Sequence, residues 1–292
     1  MFITKPQDFN YKTTVYSHGW YQLAPFEFDE ENRRLKYVFQ SETNEKPVSA
    51  IISETDKKVK IEFSDKNISQ QFKKKIVENI KHILRIDEDL SKFYQIIDKK
   101  KEFAWIKKVE AGRLLRSPTV FEDLVKTICT TNCSWALTKK MTANLVEKLG
   151  EETSNGEKTF PTAEAMAKVN ADFYRKEIRS GYRSEYFAEL AKAVADGKIN
   201  PENWFATDLP TDELKKEMKK IKGVGNYAAE NLLKLLGRYN GLALDSFLRS
   251  EFGKKYNNGN SCTDKEIEKF YERFGEWRGL VMWFDMSKRW LD

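Results

Sequence analysis

Ile221-Lys222-Gly223-Val224-Gly225-Asn226-Tyr227-Ala228-Ala229-Glu230-Asn231-Leu232-Leu233-Lys234-Leu235-Leu236-Gly237-Arg238-Tyr239-Asn240-Gly241-Leu242-Ala243-Leu244-Asp245 reads as a Gly-x-Gly turn between two amphipathic helices, followed by an aspartate. Ahead of it, Thr211 is placed to cap a helix whose first turn carries Asp212 and Glu213. The apolar residues of that helix, Leu214, Met218 and Ile221, recur at helical spacing. Gly223 and Gly225 allow a tight turn with positive φ and remove side chains that would hold another backbone away. Asn226 is placed to cap the second helix, where Ala228, Leu232, Leu235 and Leu236 form a stripe that ends at Gly237. The unpaired N–H groups at that helix start make a seat for a phosphate. Taken alone, the Gly-x-Gly fits an ordinary helix-turn-helix corner equally well.

Asp245 shifts that balance. It follows Gly225 by 20 positions, room for the helix and a short turn through Asn240 and Gly241 that brings the aspartate back to the hairpin side. Leu242, Ala243, Leu244, Phe247 and Leu248 surround it in sequence, so its carboxylate borders a low-dielectric wall where it acts strongly on developing positive charge. The same residue is placed to cap a helix beginning near Ser246, and the two roles are compatible.

This segment resembles the helix-hairpin-helix and Gly/Pro-Asp signature of the HhH-GPD superfamily of DNA glycosylases. Other segments extend the resemblance over most of residues 10 to 290. Leu114-Leu115-Arg116-Ser117-Pro118-Thr119-Val120-Phe121-Glu122 with Ile128-Cys129-Thr130-Thr131-Asn132 is similar to the early helical segment of the 8-oxoguanine and 3-methyladenine branches. Gly181-Tyr182-Arg183-Ser184-Glu185-Tyr186 and Trp277-Arg278-Gly279 through Trp283 are similar to their central and C-terminal elements.

The resemblance implies an α+β protein, with an N-terminal antiparallel β-sheet (TBP-like) domain over 1–85 and a mostly α-helical HhH-GPD domain over 86–292. It implies double-stranded DNA with a damaged base as partner, a monomer, no required cofactor, and a Na⁺ or K⁺ held by hairpin carbonyls. Breaking an N-glycosidic bond develops oxocarbenium character on the sugar, and an ionised carboxylate near C1′ stabilises it and activates water. Asp245 takes this role, while Lys222, Gly223, Val224, Gly225, Asn132 and Arg183 are expected to hold DNA. Bifunctional members carry a lysine where this chain has Tyr227, and a phenol forms no Schiff base, so hydrolysis alone is expected. Tyr227, Trp283, Phe284, Met286 and Trp135 are the expected base pocket, an electron-rich surface suited to a cationic alkylated purine such as 3-methyladenine or 7-methylguanine. Asn132 and the Leu114-to-Pro118 segment favour an 8-oxoguanine substrate instead, and a damage-sensing DNA-binding protein without activity is the third alternative.

Composition is permissive. A net charge of +6 and a pI near 8.9 suit a polyanionic partner. Three cysteines fall short of the four thiolates of an iron–sulfur cluster, which weighs against the endonuclease III and adenine-mismatch branches, and they suggest no secreted disulfide scaffold. His18 and His82 are too isolated for a zinc site. No apolar run approaches the roughly 20 residues of a membrane span, and the first residues do not read as a signal peptide. The expected location is cytoplasmic, at the nucleoid in a bacterium.

The periodicity changes near residue 85. Before it, Leu35, Tyr37 and Phe39, then Val48, Ala50 and Ile52, then Val59, Ile61 and Phe63 alternate with other positions, which predicts half-buried strands with turns at 44–47 and 55–57. A lysine-rich helix is predicted from Ser69 to about Leu84. Beyond 85, helical spacing marks Leu90 to Ile97, Phe121 to Ile128, Ser134 to Leu149, Thr162 to Val169, Ser184 to Ala195 and a last pair from Asp264 to Leu291.

Overall fold

The computed structural model describes residues 1–41, 45–65 and 67–291. Five strands form one antiparallel sheet: β1 (Phe2–Thr4), β2 (Glu27–Asp29), β3 (Arg34–Phe39), β4 (Val48–Glu54) and β5 (Lys58–Phe63), in the order β1-β5-β4-β3-β2. Register pairs Leu35 with Ile52 and Ile52 with Ile61, so the alternating apolar residues line one face. The tight 55–57 turn closes through Thr55 N–H to the Lys58 carbonyl at 2.8 Å. The other predicted turn begins at Asn44, which lies outside the described residues.

The principal helices are α1 (Gln70–Leu84), α2 (Ser91–Asp98), α3 (Val120–Thr130), α4 (Trp135–Leu149), α5 (Ser184–Ala195), α6 (Thr211–Met218), α7 (Asn226–Leu235), α8 (Ser246–Tyr256), α9 (Asp264–Tyr271) and α10 (Arg278–Ser287). Ser69 caps α1, Thr119 caps α3 and Ser134 caps α4, each through its side-chain oxygen. Two caps differ from expectation by one residue. Pro210 rather than Thr211 precedes α6, since its fixed φ already sets the entry of the chain, and Gly225 rather than Asn226 precedes α7.

Buried apolar side chains gather in two clusters. One draws on residues 3–115 and 235–291, joining the sheet and α1 to the C-terminal helices, and the other draws on residues 120–233. The chain therefore leaves the first core, builds the second, and returns through the segment after α7. Buried polar contacts stitch the two together: Tyr37 donates to Glu122 at 2.5 Å, Trp20 donates to Asp123 at 2.7 Å, and Lys126 reaches the Leu23 carbonyl at 3.5 Å. Arg85 and Arg116 both donate to the Leu235 carbonyl, at 2.7 and 3.0 Å, and satisfy the C-terminal end of α7. No helix among the described residues is long and apolar enough to cross a membrane.

Candidate functional site

Where the two cores meet, a cleft of about 980 Å³ opens between the α3–α4 turn, the start of α5, the turn joining α6 to α7, and the start of α8. Ile221 and Val224 anchor the α6–α7 turn in the second core, and Val224 N–H bonds the Ile221 carbonyl at 3.1 Å. Gly223 has φ +88°, and a Cβ there would lie 2.7 Å from the Tyr186 ring. Gly225 has φ −84° and no atom within 4 Å of a built Cβ, so positive φ is needed at one of the two glycines and open approach at the other. The first N–H groups of α7 face that approach. Lys222 is exposed on the turn and pairs with the exposed Glu189 at 2.6 Å.

Asp245 sits across the cleft as the N-cap of α8, its Oδ1 accepting the Leu248 N–H at 2.7 Å. The segment leading to it is tied to α10. Arg278 Nε donates to the Asn240 carbonyl at 2.5 Å and Gly279 N–H to the Tyr239 carbonyl at 2.7 Å. A Cβ at Gly279 would fall 2.0 Å from the Gly241 carbonyl oxygen, so that approach needs a glycine. Tyr227, on the first turn of α7, interacts with Asp245, Thr130 and Asn231; burial and the Asp245 carboxylate push its phenol up to about 12. The cleft thus holds a glycine turn with the start of α7, a carboxylate and an aromatic ring, with no lysine amine at the Tyr227 position.

Asn132 lies exposed on the cleft rim, with φ +46°, just after α3. Arg183 does not reach the cleft surface. It is 3% exposed, donates to the carbonyls of Ile128 (3.1 Å) and Thr131, and lies 4.4 Å from the Tyr182 ring, so it fixes the backbone that carries Asn132 instead of meeting DNA. Tyr182 and Tyr186 were not singled out by sequence, yet both line the cleft, edge to face at 5.9 Å, with Tyr182 51% exposed. Their signal was the Gly181-Tyr182-Arg183 run, since Gly181 at φ +59° turns the chain just before them.

The structure disperses the five residues expected to form the base pocket. Phe284 is fully buried within the first core, and Met286 borders a separate hollow of about 170 Å³ beside Lys255 and Asp285. Helix α10 is buried on nearly every side within the first core, so adjacent residues meet different neighbours there. Trp283 lies outside the cleft lining and donates Nε1–H to the Ser17 carbonyl at 2.8 Å, with Trp290 edge-on at 5.6 Å. Trp135 opens α4, donates to Gln22 at 2.7 Å and covers Gly19, again outside the cleft lining. Tyr227 alone of the five lines it.

Residues 125–279 match the family model described as HhH-GPD superfamily base excision DNA repair protein. No protein of curated function matches the chain in sequence. Among solved structures, the chain is similar to the 3-methyladenine DNA glycosylase from Archaeoglobus fulgidus, with TM-score 0.79, 20% identity, and 99% of this chain and 98% of that chain covered. It is similar to the Clostridium acetobutylicum 8-oxoguanine glycosylase/lyase in complex with double-stranded DNA, with TM-score 0.76, 19% identity, and 99% and 98% covered. The Schizosaccharomyces pombe 3-methyladenine DNA glycosylase in complex with abasic DNA matches with TM-score 0.55 and 19% identity, over 68% of this chain and 96% of that one.

Proposed function

The chain belongs to the HhH-GPD superfamily of base excision DNA repair proteins, and from that premise we propose that it is a monofunctional DNA glycosylase acting on alkylated purines in duplex DNA. The observation that carries this reading is the shared cleft of Asp245, the glycine hairpin and Tyr227. A phosphate seats against Gly225 and the N-terminal N–H groups of α7, where the helix dipole favours an anion. Lys222 is free to turn to it, because its pair with Glu189 is exposed and screened by solvent. The damaged nucleotide leaves the stack at a cost of a few kcal/mol and enters the cleft. Tyr182 at the rim offers a ring face for stacking on a base left in the duplex.

Asp245 then faces the sugar. Capping α8 fixes its direction, and the ionised carboxylate stabilises the positive charge developing at C1′ and takes a proton from the attacking water. Tyr227 supplies no amine for a Schiff base, which supports hydrolysis to an abasic site without strand cleavage. Its ring attracts a cationic methylated purine by roughly 0.5–2 kcal/mol, a modest selectivity that suffices where methylation has already weakened the glycosidic bond. The Ile221 carbonyl is an oxygen that a Na⁺ or K⁺ at the hairpin would share, and no proton or electron in the reaction passes through such an ion. The protein acts as a monomer in this reading.

The test is incubation with duplexes carrying 7-methylguanine, hypoxanthine or 8-oxoguanine, and with methylated genomic DNA, read with and without alkali. Breaks on alkylated DNA that appear only after alkali are expected. Breaks at 8-oxoguanine without alkali contradict the reading.

A further inference from the structure

Two charged side chains on α7 turn away from solvent and toward the loop that carries Asp245. Glu230 and Lys234 stand four positions apart, one above the other on the helix. Lys234 is 2% exposed, and its ammonium donates to the Leu242 carbonyl at 2.8 Å. Glu230 accepts the Ala243 N–H on Oε2 at 2.6 Å and Lys215 on Oε1 at 2.5 Å. The Leu242 carbonyl and the Ala243 N–H are the two poles of one peptide unit. We propose that Glu230 and Lys234 are positioning residues for base excision, gripping the Leu242–Ala243 peptide from both ends and so fixing the direction of the Asp245 carboxylate. The proposal rests on the glycosylase reading above and adds how the carboxylate of that site is aimed.

Three observations support a grip rather than incidental contact. Ala243 has φ +53°, a left-handed conformation that a residue with a side chain rarely adopts and that relaxes when its neighbours release it. It lies two residues before Asp245, so relaxation there swings the carboxylate. Gly241 has its Cα against Glu230, where a Cβ would meet Cγ at 2.7 Å, so the loop is shaped to let Glu230 in. A buried ammonium is also a poor choice for packing, because a hydrocarbon of the same size fills the space without desolvating a charge. Burial draws the Lys234 amine down to about 8, while Glu230 and Asp245 favour its charged form.

The experiment measures single-turnover base release from the lesion duplex that the wild-type protein processes best, together with the Kd for a duplex holding a tetrahydrofuran abasic-site analogue. Thermal melting runs alongside as a check on folding. Lys234→Met and Glu230→Ala are expected to slow release about 10- to 100-fold, the scale of a misplacement near 1 Å. The abasic-site Kd should move less than about threefold and Tm by no more than a few degrees. Glu230→Gln keeps an acceptor for the Ala243 N–H and should retain most of the rate. Adding Ala243→Gly to Lys234→Met should recover part of the loss, because glycine holds the left-handed conformation without a grip; filling or emptying a core would not be rescued this way. Wild-type release from clamp variants that fold overturns the proposal alone, as does absence of rescue by Ala243→Gly. A wild-type protein that releases no base from any lesion overturns the glycosylase reading and this proposal with it.

Discussion

The two hairpin glycines should fail in different ways when each gains a methyl group. At Gly223, alanine must adopt φ +88°, which costs about 1–2 kcal/mol for an L-residue. The new Cβ also sits 2.7 Å from the Tyr186 ring, so Tyr186 must shift and lose packing, which adds about 1 kcal/mol. Gly223→Ala is therefore expected to lower unfolding free energy by about 2–3 kcal/mol. At Gly225 the backbone already lies at φ −84° and nothing stands within 4 Å of the new atom. Restricting the unfolded chain gains about 0.4–1 kcal/mol there, and alanine is a poorer N-cap than glycine by a similar amount, so stability should change by less than about 0.5 kcal/mol. The methyl instead occupies the approach to the α7 N–H groups. Losing that phosphate contact should weaken duplex binding about tenfold, or 1.4 kcal/mol, and reduce the salt dependence of binding by about one phosphate. Urea unfolding and fluorescence anisotropy over a salt series separate the two effects. Equal destabilisation by both substitutions, or full DNA affinity in Gly225→Ala, would refute the division of labour between them.

Tyr227→Lys puts an amine beside Asp245 and should make the protein trappable on lesion DNA by borohydride, whereas the wild type should give no adduct in the same gel assay. His82 is half-buried, its enclosed Nε2 has no hydrogen-bond partner among the described residues, and burial with the nearby Arg116 and Arg85 draws it down to about 3, against about 6.5 in the unfolded chain. The folded state then binds fewer protons than the unfolded state between those values, so this group makes stability fall as pH falls through that window. Acidifying from pH 6.5 to 5 should cost about 1.6 kcal/mol through His82, and urea titrations should show that part of the slope missing in His82→Phe.

Much of the architecture was legible because its signals are local. The alternation through Leu35, Ala50 and Ile61 marks strands with one buried face, and Ser69 and Ser134 mark helix starts, where their side chains cap. The hairpin and Asp245 were legible for the same reason, since each depends on residue type at a fixed place. Strands β1 and β2 are three residues each, too short to show a period, and are defined by their partners. The placement of the α10 side chains was not legible, because a helix buried on nearly all sides has no apolar stripe and its sequence does not say which neighbour each ring meets. Arg183 looked like a phosphate contact because a guanidinium also suits exposed anions. Two backbone carbonyls brought together by the fold claimed it instead. Lys234 carried an unread signal, a charge set inside Leu232-Leu233-Lys234-Leu235-Leu236, where only the returning loop explains it.

The most direct test of the central claim is single-turnover base release by Asp245→Asn beside duplex binding by the same protein. Asparagine caps a helix as well as aspartate, so α8 and the loop before it should keep their structure and duplex affinity should hold within about twofold. Release should fall on the order of 10²–10³-fold, the scale of removing one preorganised electrostatic contact to the transition state. Release at the wild-type rate by the purified variant, with binding unchanged, would take Asp245 out of the chemistry and contradict the account.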